Sequence, residues 1–148
     1  MYKRQEYIDC NIKSGDPGFV KIFEEGVIEY PEYDGNSMYR TAGNIMKNPN
    51  VALLFVNFDG KSRRIRINGQ ASIHRDRKSL EKHHGAKFVV RIKCEIYPNC
   101  PRYVPNLKES TPSPHIPRKG KGVPPPPEWK QRDYIRDILP DGDPHRKK

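Results

Sequence analysis

The sequence is poor in cysteine: three in 148 residues, Cys10, Cys94 and Cys100, with no C-x-x-C pair. An odd count at that spacing excludes a disulfide framework and makes a reducing cytoplasm the expected setting. Long apolar runs are missing as well. None approaches the roughly 20 residues a bilayer-spanning helix needs, and no secretory leader is recognisable, so a soluble protein with no membrane partner is expected. Apolar residues make up 34% of the chain against 31% charged, enough for one small core.

Acidic charge is scarce relative to basic: 18 Asp and Glu face 28 Lys and Arg, a formal net charge of +10 and a pI near 9.6. A surface of that sign attracts polyanions in general. Much of the excess lies late, where Arg118, Lys119, Lys121, Lys130, Arg132 and Arg136 sit among prolines, the usual composition of a solvated tail. Aromatics are not interleaved with that cluster and no recognised binding motif accompanies it, so nucleic acid is not an expected partner. His83-His84 is the densest histidine signal, but adjacent residues do not share a helix face and no Cys or carboxylate stands at zinc spacing. No metal is expected.

Met1-Tyr2-Lys3-Arg4-Gln5 reads as a translated transposon-end sequencing adapter, so residues 1–5 are expected to be a scar on a gene that begins upstream. Tyr7 to Lys13 reads as a strand, Ser14 to Gly18 as a turn, and Phe19 to Phe23 as a second strand. Glu24-Glu25-Gly26 turns the chain into Val27 to Tyr30, completing a hairpin.

Between Asp34 and Phe58 lies the stretch around which the chain is organised. Met38, Ala42, Ile45 and Met46 fall at i, i+4, i+7 and i+8, and Asn48-Pro49 stops the pattern, which predicts a short amphipathic helix capped by Asn36 or Ser37. Ser37, Arg40, Thr41 and Asn44 share the opposite face, with Gly43 allowing close approach. Two readings compete for that face. One is a solvated polar surface; the other is an anion site made of helix N–H groups, the helix dipole and a forked guanidinium. Val51 to Phe58 follows as a near-continuous apolar strand expected to be covered on both faces.

Arg63 to Ile73 alternates with period two, Ile65 and Ile67 on one face and Arg64 and Arg66 on the other. Asn68-Gly69 suits either a hairpin turn or a bulge inside one bent strand, with a slight advantage to the hairpin. Arg75 to Lys87 is polar around Leu80 and reads as an exposed helix or loop; Phe88 to Tyr97 is the last core strand. Beyond Val104 the composition turns to proline, including Pro124 to Pro127, so 6–104 is read as the folded domain and 105–148 as a Pro-rich basic extension. Within it, Trp129, Tyr134, Ile135, Ile138 and Leu139 suggest a short docking helix ending at Pro140.

Taken together, Asp16-Pro17-Gly18-Phe19-Val20, Asp34-Gly35-Asn36, Gly43-Asn44-Ile45 with Asn48-Pro49, Leu53-Leu54-Phe55, Arg64 to Gly69 and Pro98-Asn99-Cys100-Pro101-Arg102-Tyr103 resemble the pyridoxamine 5′-phosphate oxidase-related family. The likeness runs from about Tyr7 to Val104 in order and spacing. It implies a mainly β fold, a six-stranded antiparallel split β-barrel of Greek-key type with short flanking helices, here lacking its first helix and strand. It further implies a homodimer with FMN in a cleft at the subunit interface. Position by position, the phosphate element falls on Arg40 and Thr41 with Ser37 and Asn44 in support. Arg64 and Arg66 fall on the strand along the flavin, which places Asn68-Gly69 inside a bent strand rather than a turn. Lys13 borders the flavin, and Asn99, Cys100 and Arg102 close the site.

The oxidase itself has two adjacent basic residues where this chain has Arg40-Thr41, and its residues for recognising pyridoxal phosphate are not evident here. The resemblance therefore implies an FMN-dependent oxidoreductase of undetermined small-molecule substrate, with a nicotinamide nucleotide as a possible electron donor. In such a protein the flavin carries the redox chemistry. The alternative is a flavin-binding carrier or sensor without turnover. Cys100 is open to two readings, a small buried hydrophobe or a thiol facing the ring.

Overall fold

The computed structural model describes residues 8–58, 63–98, 117–122, 128–139 and 141–146, with the side chains of Tyr97, Pro98 and Trp129 excepted. The residues read as an adapter scar and the Asp59 to Ser62 turn lie outside them. Five strands form one antiparallel sheet: β1 (Lys21–Glu24), β2 (Val27–Glu32), β3 (Asn50–Asn57), β4 (Arg63–His74) and β5 (Phe88–Pro98), in the spatial order β1-β2-β5-β4-β3. The family type has six strands, with the first expected to be lacking here; five are formed among the described residues. The strand expected from Tyr7 to Lys13 is not among them: Ile8 to Lys13 is irregular chain and joins no ladder.

The sheet is built on β4 and β5, which pair without interruption from Ile65↔Pro98 to His74↔Val89. Asn68 and Gly69 lie inside this ladder, facing Glu95 and Cys94 on one side and Ala52 and Val51 of β3 on the other. Arg63 to His74 is thus one continuous strand, and the hairpin alternative is excluded. Glycine is required at 69, because a Cβ there would run into the Lys93 carbonyl oxygen and come within 2.9 Å of Cys94 Cα.

Strand alternation then decides the two faces. Ile28 and Tyr30 of β2, Ile67 and Ala71 of β4, and Phe88, Val90 and Ile92 of β5 form the core. Helix α1 (Arg40–Lys47) lies on it through Ala42 and Ile45. The helix starts later than its apolar spacing suggests. Asn36 Oδ1 accepts a hydrogen bond from the Met38 N–H at 3.1 Å, and the residue before the helix is Tyr39, which supplies no side-chain cap. Met38 therefore precedes the helix and is half exposed, and Tyr39 packs edge-on to Phe88 with ring centroids 5.3 Å apart. Strand β3 is paired only with β4 among the described strands, and it alternates: Val51, Leu53 and Phe55 lean on the core while Leu54 is 57% exposed.

The loop after β4 is anchored by polar groups that the sequence pattern does not reveal. Helix α2 (Arg77–Leu80) is capped by Asp76, which accepts from the Ser79 N–H at 2.9 Å and the Ser79 hydroxyl at 2.8 Å. Below it Glu29 is buried, one carboxylate oxygen 2.9 Å from Arg91 Nε and the other 3.2 Å from His83 Nε2. Arg91 also donates to Ser79 at 2.8 Å and lies over the Phe23 ring at 3.8 Å. A carboxylate so deep is tolerable only when its charge is paired and its lone pairs are filled.

The C-terminal extension folds back on the domain. Arg118 pairs with Asp16 at 2.8 Å, and Lys130, 1% exposed, sits between Asp34 at 2.6 Å and Asp143 at 2.8 Å. The expected docking helix is divided into a 3-10 turn (Glu128–Gln131) and the single-turn α3 (Asp133–Arg136). Tyr134 and Ile138 are exposed and Leu139 is buried, so among the described side chains the Lys130 ion pairs, the Asp143 bond to Ser37 and one leucine hold the segment.

Two predictions follow from this packing. Gly69→Ala should destabilise the protein by about 1–3 kcal/mol, the usual cost of overpacking, read as a lower denaturation midpoint. The second concerns pH. Burial lowers the pKa of His83, an effect the Glu29 hydrogen bond only partly offsets. Burial alone would raise Glu29, but hydrogen bonds from Arg91 and His83 outweigh it and lower the carboxyl below its ordinary value. Both depressed groups bind fewer protons folded than unfolded, so both contributions are present at neutral pH and lost on acidification. The Tm should fall as pH drops below about 6.5, the ordinary histidine value, and fall again through the carboxylate range. His83→Gln should flatten the upper limb only; an unchanged upper limb would show that His83 does not titrate with unfolding.

Candidate functional site

A cleft of about 400 Å³ opens where the end of β2, the chain before α1 and the first turn of α1 meet the N-terminal coil. Its walls include Lys13, Ser37, Arg40 and Thr41, four of the residues the sequence singles out. They are collected by three local features. Glu32 ends β2 and Tyr33 follows it; the stretch from Asp34 to Tyr39 carries two non-glycine residues with left-handed backbone, Ser37 at φ 57° and Tyr39 at φ 43°; and α1 begins at Arg40. Left-handed backbone at side-chain-bearing residues is disfavoured and persists only where neighbours fix it.

Here the neighbours are carboxylates. Asp34 Oδ1 accepts from the Ser37 hydroxyl at 3.0 Å and from the Tyr39 hydroxyl at 3.3 Å. Asp143 accepts from the same Ser37 hydroxyl at 3.2 Å. Burial, and then the charge and hydrogen bond of Asp34, push the Tyr39 phenol well above its ordinary value, so it remains a donor. Thr41 donates to Asp9 at 2.9 Å and accepts from the Asn11 side-chain amide. Lys13 Nζ reaches both oxygens of Glu32 at 2.6 Å. Burial pushes Lys130 down, but hydrogen bonds and charge from Asp143 and Asp34 outweigh it and hold the ammonium protonated.

The other candidates lie elsewhere. Asn44 is half-buried one turn along α1 and does not line the cleft; its carbonyl ends the helix by accepting from the Asn48 N–H at 2.8 Å. Arg64 and Arg66 stand opposite Val56 and Leu54 of β3, out of phase with Ile67, so they project from the face of the sheet away from α1. One chain does not bring them to the cleft. Asn99, Cys100 and Arg102 lie outside the described residues.

Sequence reasoning missed the acidic half of this site: Asp9 and Glu32 in the walls, and Asp34 with Lys130 and Asp143 beside them. By pattern Lys130 is only tail charge. The available signal is the scarcity of acid in a basic chain, which surrounds each carboxylate with cations able to pair with it. The cleft offers an arginine, a lysine and two hydroxyls at a helix start, a donor set suited to an anion. Among the described residues no group of three His, Cys, Asp or Glu is placed to hold a metal ion, and no helix is long and apolar enough to cross a membrane.

Comparison with known proteins gives two results. HupZ from Group A Streptococcus, in tagged form, is 20% identical with a TM-score of 0.43, over 60% of this chain and 74% of that one. A substituted form of the same protein gives 21% identity and a TM-score of 0.41, over 53% and 71%. No curated protein matches. A family model described as pyridoxamine 5′-phosphate oxidase matches residues 17–109. That span is well over half of the 148 residues, takes in all five strands and α1, and includes every cleft residue from Glu32 to Ala42. The chain belongs to the pyridoxamine 5′-phosphate oxidase family.

Proposed function

We propose that the protein binds FMN and serves as an FMN-dependent oxidoreductase of small molecules. The observation that carries this reading is the convergence of Lys13, Ser37, Arg40 and Thr41 on one cleft at the start of α1, the last three of them inside the span matched by the family model. The donor set fits a phosphate monoester. Arg40 supplies a forked cation, Ser37 and Thr41 supply hydroxyl protons, and the first turn of α1 adds backbone N–H groups. A cleft of about 400 Å³ is also within the usual range for small-ligand sites.

When bound, FMN supplies the hydride and electron chemistry, so no side-chain acid and base pair is required of the protein. The chain's contribution is to bind, orient and exclude water. Arg40 and the α1 N-terminus fix the phosphate end. Arg64 and Arg66, on the outer face of the sheet, are assigned to the ribityl chain or ring edge, where their charge favours an anionic reduced ring. Because these arginines and α1 lie on opposite faces of one sheet, a complete site requires a second subunit. The reading therefore includes a homodimeric split barrel of the six-stranded family type, with Asn99, Cys100 and Arg102 near the ring. Substrate identity is left open, since Thr41 replaces the second basic residue of the oxidase.

Purified protein loaded with FMN should show flavin absorption in the visible. Arg40→Ala should weaken binding by about 1.5–3 kcal/mol, roughly 10- to 150-fold, as expected for one charge-assisted contact. Equal binding by the variant would remove Arg40 from the site. Bleaching of the bound flavin by NADH or NADPH supports turnover, whereas a flavin that neither nucleotide reduces supports a carrier or sensor.

A further inference from the structure

The hydroxyls assigned to the phosphate are already engaged by carboxylates, Asp34 from the same turn and Asp9 and Asp143 from far along the chain in either direction. Thr41 donates to Asp9, and Ser37, 7% exposed, shares its single hydroxyl proton between Asp34 at 3.0 Å and Asp143 at 3.2 Å. A phosphate oxygen and a carboxylate oxygen want the same proton, and both are anions, so each excludes the other from the hydroxyl. The C-terminal contact is a built one. Lys130 is buried between Asp34 and Asp143, at 2.6 and 2.8 Å, and so cancels the repulsion that would otherwise separate the two carboxylates. Asp143 also accepts from the His145 N–H at 3.0 Å, and Leu139 is buried nearby in sequence. The turn it grips is the one with left-handed Ser37 and Tyr39, a conformation that depends on what surrounds it.

We propose that the C-terminal segment from Glu128 to Arg146 is an autoinhibitory strap: Lys130 clamps Asp143 onto Ser37, and a phosphate-bearing ligand engages Ser37 only when the segment lifts. The inference rests on the flavin reading of the cleft and adds regulation to it. Lifting the segment withdraws Asp143 from the Ser37 hydroxyl and unpins Asp34. Ser37, already in the cleft wall, then has its hydroxyl released to a ligand. Ligand binding and strap docking are opposed, so by linkage each weakens the other.

The test uses the full chain, with Lys130→Gln and Asp143→Asn as variants. Trypsin cleavage after Arg132 and Arg136 reports docking without ligand. FMN titration reports the site. Both variants should be cleaved faster and bind FMN roughly tenfold tighter than the wild type, the scale of one recovered hydrogen bond to a charged group. If FMN binds equally well or less well once the segment is released, the strap is overturned and the flavin reading stands. Cleavage of the wild type as fast as the variants overturns the docking itself. Failure of all three proteins to bind FMN overturns the flavin reading, and the strap with it. Should Lys130→Gln not fold, Asp143→Asn gives the same comparison while leaving Lys130 its pairing with Asp34.

Discussion

The rest of the structure depends on the close pairing of β4 with β5. Ten consecutive residue pairs run through a position where the two backbones press together so tightly that a side chain is excluded, Gly69 against Lys93 and Cys94. A slip of one residue would turn Ile67 and Ala71 outward and Arg66 and Asn68 inward. The ladder thus fixes which face receives α1. The neighbouring β2–β5 ladder pairs Arg91 with Glu29, and through them the loop carrying His83 and Ser79 is held.

From this register the geography of the site follows. Ala42 and Ile45 seat α1 on the core face, so the first turn of the helix, with Arg40 and Thr41, overhangs the end of β2 and makes the cleft. Arg64 and Arg66 are committed to the other face by the same alternation that buries Ile67. The division of predicted ligands between two faces is therefore a property of the sheet. The cleft combines donors suited to an anion with carboxylates that hold those donors in place. Asp9, Glu32, Asp34 and Asp143 each accept from a residue proposed for ligand binding. In a chain of formal charge +10, these four of its 18 acids stand where they can compete with a phosphate.

How much could be read beforehand follows from which signals are local. Period-two alternation located β4 and β5, and the turn at Glu24 to Gly26 located the β1–β2 hairpin, because each depends on neighbouring residues. Asn68-Gly69 has the same local chemistry in a turn and in a close strand pair, and only the register of β5 separates the two. The start of α1 was misplaced because Asn36 and Ser37 are good caps by type, while Asp34 and Asp143 claim Ser37 from outside the helix. Glu29, His83 and Arg91 were illegible for a related reason: ion pairs 54 and 62 residues apart leave no periodic trace. Lys130 looked like any lysine of a basic tail. Its burial depends on two aspartates, one of them 96 residues away.

The central claim is that the cleft at the start of α1 grips the phosphate of a flavin nucleotide, and the most direct measurement compares FMN with riboflavin, the same ring and ribityl chain without the phosphate. Equilibrium titration of the full-chain protein with both, at fixed ionic strength, isolates that group. The account predicts that FMN binds at least roughly tenfold more tightly, since charge-assisted contacts to the phosphate are worth about 1.5–3 kcal/mol each. Equal affinity for the two, or no binding of either, would contradict it.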